Sequence, residues 1–179
     1  QRLAAMTYAL DRGIGQIVAT LKATGQYENT LIFFVSDNGG AHNNESTNFP
    51  LKGFKGNEYE AGHRVPYVVS WPAAIKGRQG FAGLSSSLDI FPTILEATQA
   101  RNTLTKPLDG VSLLPYLTSK KTGNPHEYLF WRKDAAAAVR FNDYKLIRVE
   151  ELGYRLYNLG TDLGETQDLQ TREAATFST

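Results

Sequence analysis

A short apolar run that breaks into a long polar loop constrains this chain most. Leu31 to Ser36 reads as a strand, and Asp37, Asn38 and the pair Gly39-Gly40 follow it at once. Residues 41–64 then carry His42, Lys52, Lys55, Glu60, His63 and Arg64 before a second apolar run, Val65 to Trp71, stopped by Pro72. A connection longer than about 15 residues inside a compact domain is either functional or disordered. Here apolar runs pin both ends, which favours function.

Upstream, Leu3, Met6, Leu10, Ile14, Ile17, Val18 and Leu21 recur every three or four residues and predict one amphipathic helix. Gly25 stands where a left-handed helix terminus belongs. Gly13 and Gly15 weaken that helix, which predicts close packing of its backbone against another element. A helix followed by a near-continuous apolar strand predicts half of a parallel α/β layer covered on both faces. Ligands of such layers gather beyond the carboxyl ends of the strands, where Asp37 and Asn38 stand.

Phe81 to Ser87 reads as a short strand, and Leu88 to Leu95 as a helix start with Ser87 or Asp89 as its cap and Pro92 in the first turn. Val111 to Leu117 predicts a short helix. From Glu127 the period changes. Tyr128–Arg132, Ala136–Phe141, Tyr144–Arg148 and Tyr154–Leu159 are aromatic and β-branched runs at close spacing, with Asn142-Asp143 as a tight turn. They predict a small antiparallel sheet. The polar tail Thr161 to Thr179 reads as a turn and a final helix. The expected division is residues 1–105 as an α/β part and 106–179 as a sheet subdomain.

Composition excludes several classes. With 41% hydrophobic and 21% charged residues the chain reads as a globular protein. A formal charge of +1 with scattered lysines and arginines argues against nucleic-acid binding. No run reaches the about 20 apolar residues that span a bilayer. The 179 residues contain no cysteine, which removes disulfides, thiolate metal sites and a cysteine nucleophile from these residues. The helical pattern starts at Leu3 without a preceding loop or signal-peptide pattern, so the chain is expected to be a piece of a longer protein.

The residues alone leave the site open. Asp37 and Asn38 offer adjacent carboxylate and amide oxygens, the donor type of Ca²⁺ or Mg²⁺, yet Asn-Gly is also a common turn. Lys55 suits an anion and also suits bulk water. Glu60 and Arg64 read most simply as a local ion pair, worth little if exposed. His42 and His63 show no partner in sequence.

The ordered series TLIFFVSDNGG, PLKGFKGNEYEAGHRVP and Leu88-Asp89-Ile90-Phe91-Pro92-Thr93 resembles the C-terminal half of a type I sulfatase of the alkaline-phosphatase-like superfamily. Asp109 to Pro115, Ala138-Val139-Arg140 with Tyr144-Lys145-Leu146, Leu156 to Leu159 and Asp162 to Glu165 extend the resemblance over nearly the whole chain. It implies the C-terminal part of an α/β sandwich followed by a four-stranded antiparallel subdomain. It also implies that Asp37 and Asn38 are Ca²⁺ ligands, that Lys55 contacts sulfate, and that His42 and Arg64 lie at the substrate. Glu60 to Arg64 matches a Glu-Gly-Gly-x-Arg segment in which Ala61 replaces the first glycine.

The family's nucleophile, a formylglycine made within a Cys/Ser-x-Pro/Ala-x-Arg motif, has no counterpart in these residues. The expectation is a fragment that is inactive without an N-terminal half. Its substrate would be a sulfate ester, with a sulfated sugar favoured, and its compartment periplasmic, secreted or lysosome-like. A phosphonate or phosphodiester hydrolase of the same superfamily and a non-catalytic glycan- or partner-binding module are the alternatives.

Overall fold

The computed structural model describes residues 2–150 and 152–173. The elements run α1 (Arg2–Ala23), β1 (Ile32–Val35), α2 (Glu60–His63), β2 (Tyr67–Ser70), α3 (Ile90–Thr98), α4 (Leu114–Leu117), β3 (Tyr128–Lys133), β4 (Ala136–Phe141), β5 (Tyr144–Val149) and β6 (Gly153–Asn158). They fall into two compact units. Gln1–Val35 joins Pro66–Pro125 in the first, and Ser36–Val65 joins His126–Thr179 in the second. The long loop is therefore grouped with the four-stranded sheet. Among the described residues no helix is long and apolar enough to cross a membrane.

In the first unit α1 ends as the sequence predicts, with Gly25 at φ +70° and the Gln26 amide donating to the Leu21 carbonyl. Three expectations fail there. β1 and β2 pair antiparallel, Ile32 opposite Ser70 and Val35 opposite Tyr67, rather than parallel. Neither strand is covered on both faces, since Phe34 and Val68 are exposed. A Cβ at Gly13 or Gly15 would meet nothing within 4 Å, so those glycines mark no close packing within this chain. No residue of α1 is buried, and Met6, Leu10 and Ile17 of its apolar stripe are 71%, 55% and 62% exposed.

Phe81 to Ser87 forms no strand. Its serines make turns instead: the Ser85 hydroxyl donates to the Gly83 carbonyl, and Ser86 caps the 3₁₀ turn Ser87–Asp89 in a capping box. Asp89 is fully buried, and its two carboxylate oxygens accept the Ser86 and Val111 amides at 2.7 and 2.9 Å. Thr93, one helical turn on, accepts the Leu113 amide at 2.8 Å. Two side chains thus fasten α3 to the segment leading into α4.

In the second unit β3-β4-β5-β6 form an antiparallel meander. Asn142, at φ +49°, makes the predicted turn between β4 and β5. Ala138, Ile147, Tyr157 and Leu159 form the core, with Tyr59, Trp131 and Val149 packed on it. Residues 161–173 are turns and irregular chain, and the rest of the expected C-terminal helix falls on 174–179, outside the described residues.

Candidate functional site

The long loop is a folded object held by its own polar groups. The Asn48 side chain accepts the Gly40 amide at 2.9 Å and donates to the carbonyls of Gly40 and Gly53. The Lys55 amide also donates to the Gly40 carbonyl, at 3.0 Å, and the Gly39 amide to that of Gly62 at 3.1 Å. That approach requires glycine. A Cβ at Gly39 would lie 1.6 Å from the Ala61 oxygen, and one at Gly62 would lie 2.0 Å from the Asn57 oxygen. Ala61 tolerates its methyl group and is itself 1% exposed. The loop around Asp37 and Asn38 is in this way clamped onto α2.

Asp37 is exposed and Asn38 half-buried, its side-chain amide donating to the Gly39 carbonyl at 2.9 Å. Lys55 is exposed, with its backbone tied two residues past Asn38. His42 is exposed too, its ring 4.8 Å from that of Phe54, the neighbour of Lys55. Arg64 approaches Glu60 at 3.4 Å while half of its side chain stays exposed. Backbone bonds tie Lys55 to Gly40 and Gly39 to Gly62, which holds the Asp37-Asn38 turn, Lys55 and the α2 end near Arg64 in one framework, and His42 joins it through its ring contact with Phe54. Asp37 and Asn38 have the oxygen chemistry of a Ca²⁺ site, which takes about six to eight oxygen ligands. Among the described residues no group of three or more His, Asp or Glu side chains could hold a metal.

A buried charge cluster lies behind the loop, and the sequence showed only its Glu60–Arg64 edge. Lys145 is completely buried, 3.1 Å from Glu60 Oε1 and 2.9 Å from Glu165 Oε1, the second contact lying off the hydrogen-bond direction. The other Glu165 oxygen accepts the Glu60 amide at 2.7 Å. Arg140 reaches Glu60 Oε2 at 3.6 Å. Lys52 donates to the Glu165 carbonyl and places its ammonium 4.3 Å from the Tyr59 ring centre. His63 stacks on Trp131 with ring centres 4.1 Å apart and planes within 10°.

Burial alone would raise the Glu60 pKa, but the His63 imidazole and the Lys145 charge outweigh it and hold the carboxyl at about 2. Glu165 has fewer cations around it, and there burial prevails, so its pKa rises. Burial lowers that of His63 although its Nε2 lies 3.5 Å from Glu60 Oε1. A signal for the cluster was present. Lys145 and Ile147 are two apart in β5 and share its inward face, so the alternation puts a lysine where an apolar residue belongs.

Comparison with known proteins matches the same chain from both ends. The Sulfatase family model covers residues 1–100, and the model described as N-sulphoglucosamine sulphohydrolase, C-terminal, covers residues 54–177. An uncharacterized sulfatase of Escherichia coli, YdeN, is 38% identical over 71% of this chain and 23% of its own length. A sulfatase of Formosa agariphila is 31% identical over 93% of this chain and 34% of its own. The chain thus spans about a quarter to a third of these relatives. The crystal structure of Ps i-CgsB with k-i-k-neocarrahexaose superposes at a TM-score of 0.88 and 35% identity, covering 97% of this chain and 39% of that one. The α/β elements and the four-stranded antiparallel sheet are those of the alkaline-phosphatase-like fold.

Proposed function

The chain belongs to the sulfatase family, and from that premise we propose that it forms one wall of a sulfate-ester hydrolase site whose nucleophile lies outside these 179 residues. The observation that carries the reading is the bond from the Lys55 amide to the Gly40 carbonyl, which ties the lysine to the Asp37-Asn38 turn. In the whole protein residues 1–105 would belong to the α/β catalytic domain and 106–179 to the smaller subdomain.

Asp37 and Asn38 would hold Ca²⁺ together with ligands from elsewhere in the protein. Bound there, the cation would offset the negative charge of the sulfuryl oxygens. Lys55 would place its ammonium against one of those oxygens, a fixed charge that gains strength as the S–O bond to the leaving alcohol breaks. His42 and Arg64 would meet the part of the substrate that carries the ester. Because these residues include no cysteine and no Cys/Ser-x-Pro/Ala-x-Arg motif, turnover would require the group supplied outside them. The solved relative holding a neocarrahexaose supports a sugar-borne ester.

The test is kinetic, on the full-length protein. Lys55→Ala is expected to lower kcat/KM for a sulfate ester about 100-fold or more, the usual cost of losing one preorganised charge-stabilising donor. A chelator should abolish activity that added Ca²⁺ restores, and Asp37→Ala should raise the Ca²⁺ concentration required. A Lys55→Ala enzyme with unchanged kinetics would sink the reading. Turnover of phosphonate monoesters in strong preference to sulfate esters would move it to the phosphonate hydrolases of the same superfamily.

A further inference from the structure

Lys55 lies within a closed turn of chain, sealed where the Ala61 amide donates to the Lys52 carbonyl at 2.9 Å. Inside the turn the Asn57 amide donates to the Phe54 carbonyl at 3.2 Å. Gly53 and Gly56 give the backbone its left-handed bends, at φ +93° and +94°. A turn of this kind has no core of its own. It is held from the sheet side, by residues remote in sequence.

Glu165 grips both of its ends. The carboxylate accepts the Glu60 amide at 2.7 Å, and the carbonyl accepts the Lys52 ammonium at 3.1 Å. Lys145 contacts the Glu60 and Glu165 carboxylates together, which permits two acids to be buried side by side. Lys133, at the end of β3, donates to the Gly56 carbonyl at 3.0 Å. Gly56 is the residue that follows Lys55. The Lys133 side chain is exposed, and an exposed lysine gains little from a single bond to a carbonyl when water competes for both partners. Its placement has a local effect instead. It fixes the Gly56–Asn57 peptide, the one that begins a residue past Lys55.

Resting on the sulfatase reading above, we infer that Glu165 and Lys133 are positioning residues for Lys55, acting on the sulfate only through the 52–61 turn. Neither is assigned a contact with the ester. Their role is to hold an ammonium where charge develops, because a misplacement of about 1 Å at a reacting centre costs on the order of 100-fold in rate.

The experiment is a pair of double-mutant cycles in the full-length protein. It is read as kcat/KM on 4-nitrophenyl sulfate and, independently of turnover, as the Kd for inorganic sulfate. Lys133→Ala is expected to lower kcat/KM about 5- to 10-fold and Glu165→Gln about 10- to 100-fold, within the range set by loss of orientation. In a Lys55→Ala background both losses should vanish, since the group they position is gone. Lys133→Arg, which keeps a donor, should restore most of the activity.

Losses that persist undiminished in the Lys55→Ala background would overturn the inference, as would unchanged kinetics in both single variants. If Glu165→Gln does not fold, Lys133→Ala decides alone, because that side chain is exposed and lies outside the core. A silent Lys55→Ala variant would overturn the sulfate role of Lys55 and this inference with it. An active role for Lys55 with additive losses would overturn only the inference.

Discussion

The two units differ in how their helix and sheet are covered. In the unit built on β3 to β6, the completely buried side chains include Lys145, Glu165 and Ile147, so charged groups share the inside with the apolar core. In the unit built on α1, β1 and β2, Met6, Leu10, Ile17 and Val68 are left outside, while Asp89, Thr93 and Leu113 are fully buried. Hydrophobic burial normally drives folding, and charge burial opposes it unless every charge is paired. The sheet unit meets that condition at its Glu60 cluster with residues of its own: Lys145 lies between Glu60 and Glu165, and Arg140 and Arg64 complete Glu60. The other unit leaves its helix α1 without a buried residue.

Removing the central cation tests the closed interior most severely. Lys145→Met substitutes a group of similar length and leaves Glu60 and Glu165 buried without their shared counter-ion. Breaking a buried pair in this way costs about 3–5 kcal/mol. Denaturant unfolding monitored through Trp131, which stacks on His63 beside the cluster, should show the loss. A change below about 1 kcal/mol would mean that solvent reaches the cluster and that its charges are not buried together.

Acid should probe the same interior almost as strongly. The folded-state pKa of Glu60, about 2 against an ordinary 4.5, is depressed. The stability it contributes is therefore present above pH 4.5 and is lost as pH falls from 4.5 towards 2. The full shift corresponds to about 3 kcal/mol. Glu165 works in the opposite sense. Its raised pKa favours the folded state at low pH and costs stability as pH rises from 4.5 through the raised value. His63, lowered by burial, withdraws stability as pH falls below 6.5. Unfolding free energies at pH 3 and pH 7 should differ less in Glu60→Gln than in the parent protein. Equal differences in the two would show that Glu60 does not carry the acid sensitivity.

What the sequence revealed divides along the same line. The four strands of the sheet were legible to within one residue at each end, because alternation has a period of two and is a local signal. Asp37, Asn38 and Lys55 could be singled out because a strand end, a glycine pair and a series of motifs lie close together in sequence. The Glu60–Lys145–Glu165 cluster was not legible as a unit, since its contacts join residues 85 and 105 positions apart. Strand direction was not legible either. A helix before a strand suggests a parallel layer, but β1 takes its direction from β2, its antiparallel partner across the loop. The supposed strand at Phe81 to Ser87 failed on serine chemistry, since Ser85 and Ser86 bond to nearby backbone in competition with any ladder.

One substitution made in both units gives the smallest effects and the cleanest contrast. Gly39→Ala puts a methyl group 1.6 Å from the Ala61 carbonyl oxygen, where only backbone movement can relieve it. It should cost about 1–3 kcal/mol and loosen the clamp between the Asp37-Asn38 turn and α2. Gly13→Ala meets nothing within 4 Å, and at a helix interior it should stabilise by about 0.5–1 kcal/mol. Thermal unfolding of both variants in the 179-residue chain would give shifts of opposite sign. Repeating Gly13→Ala in the full-length protein sharpens the comparison. A stabilisation in the short chain that becomes a destabilisation in the long one would show that another element approaches α1 closely at Gly13. A stabilisation in both would leave that face of the helix uncovered in the intact sulfatase, and the contrast between the two units would then belong to the family's architecture rather than to the length of this chain.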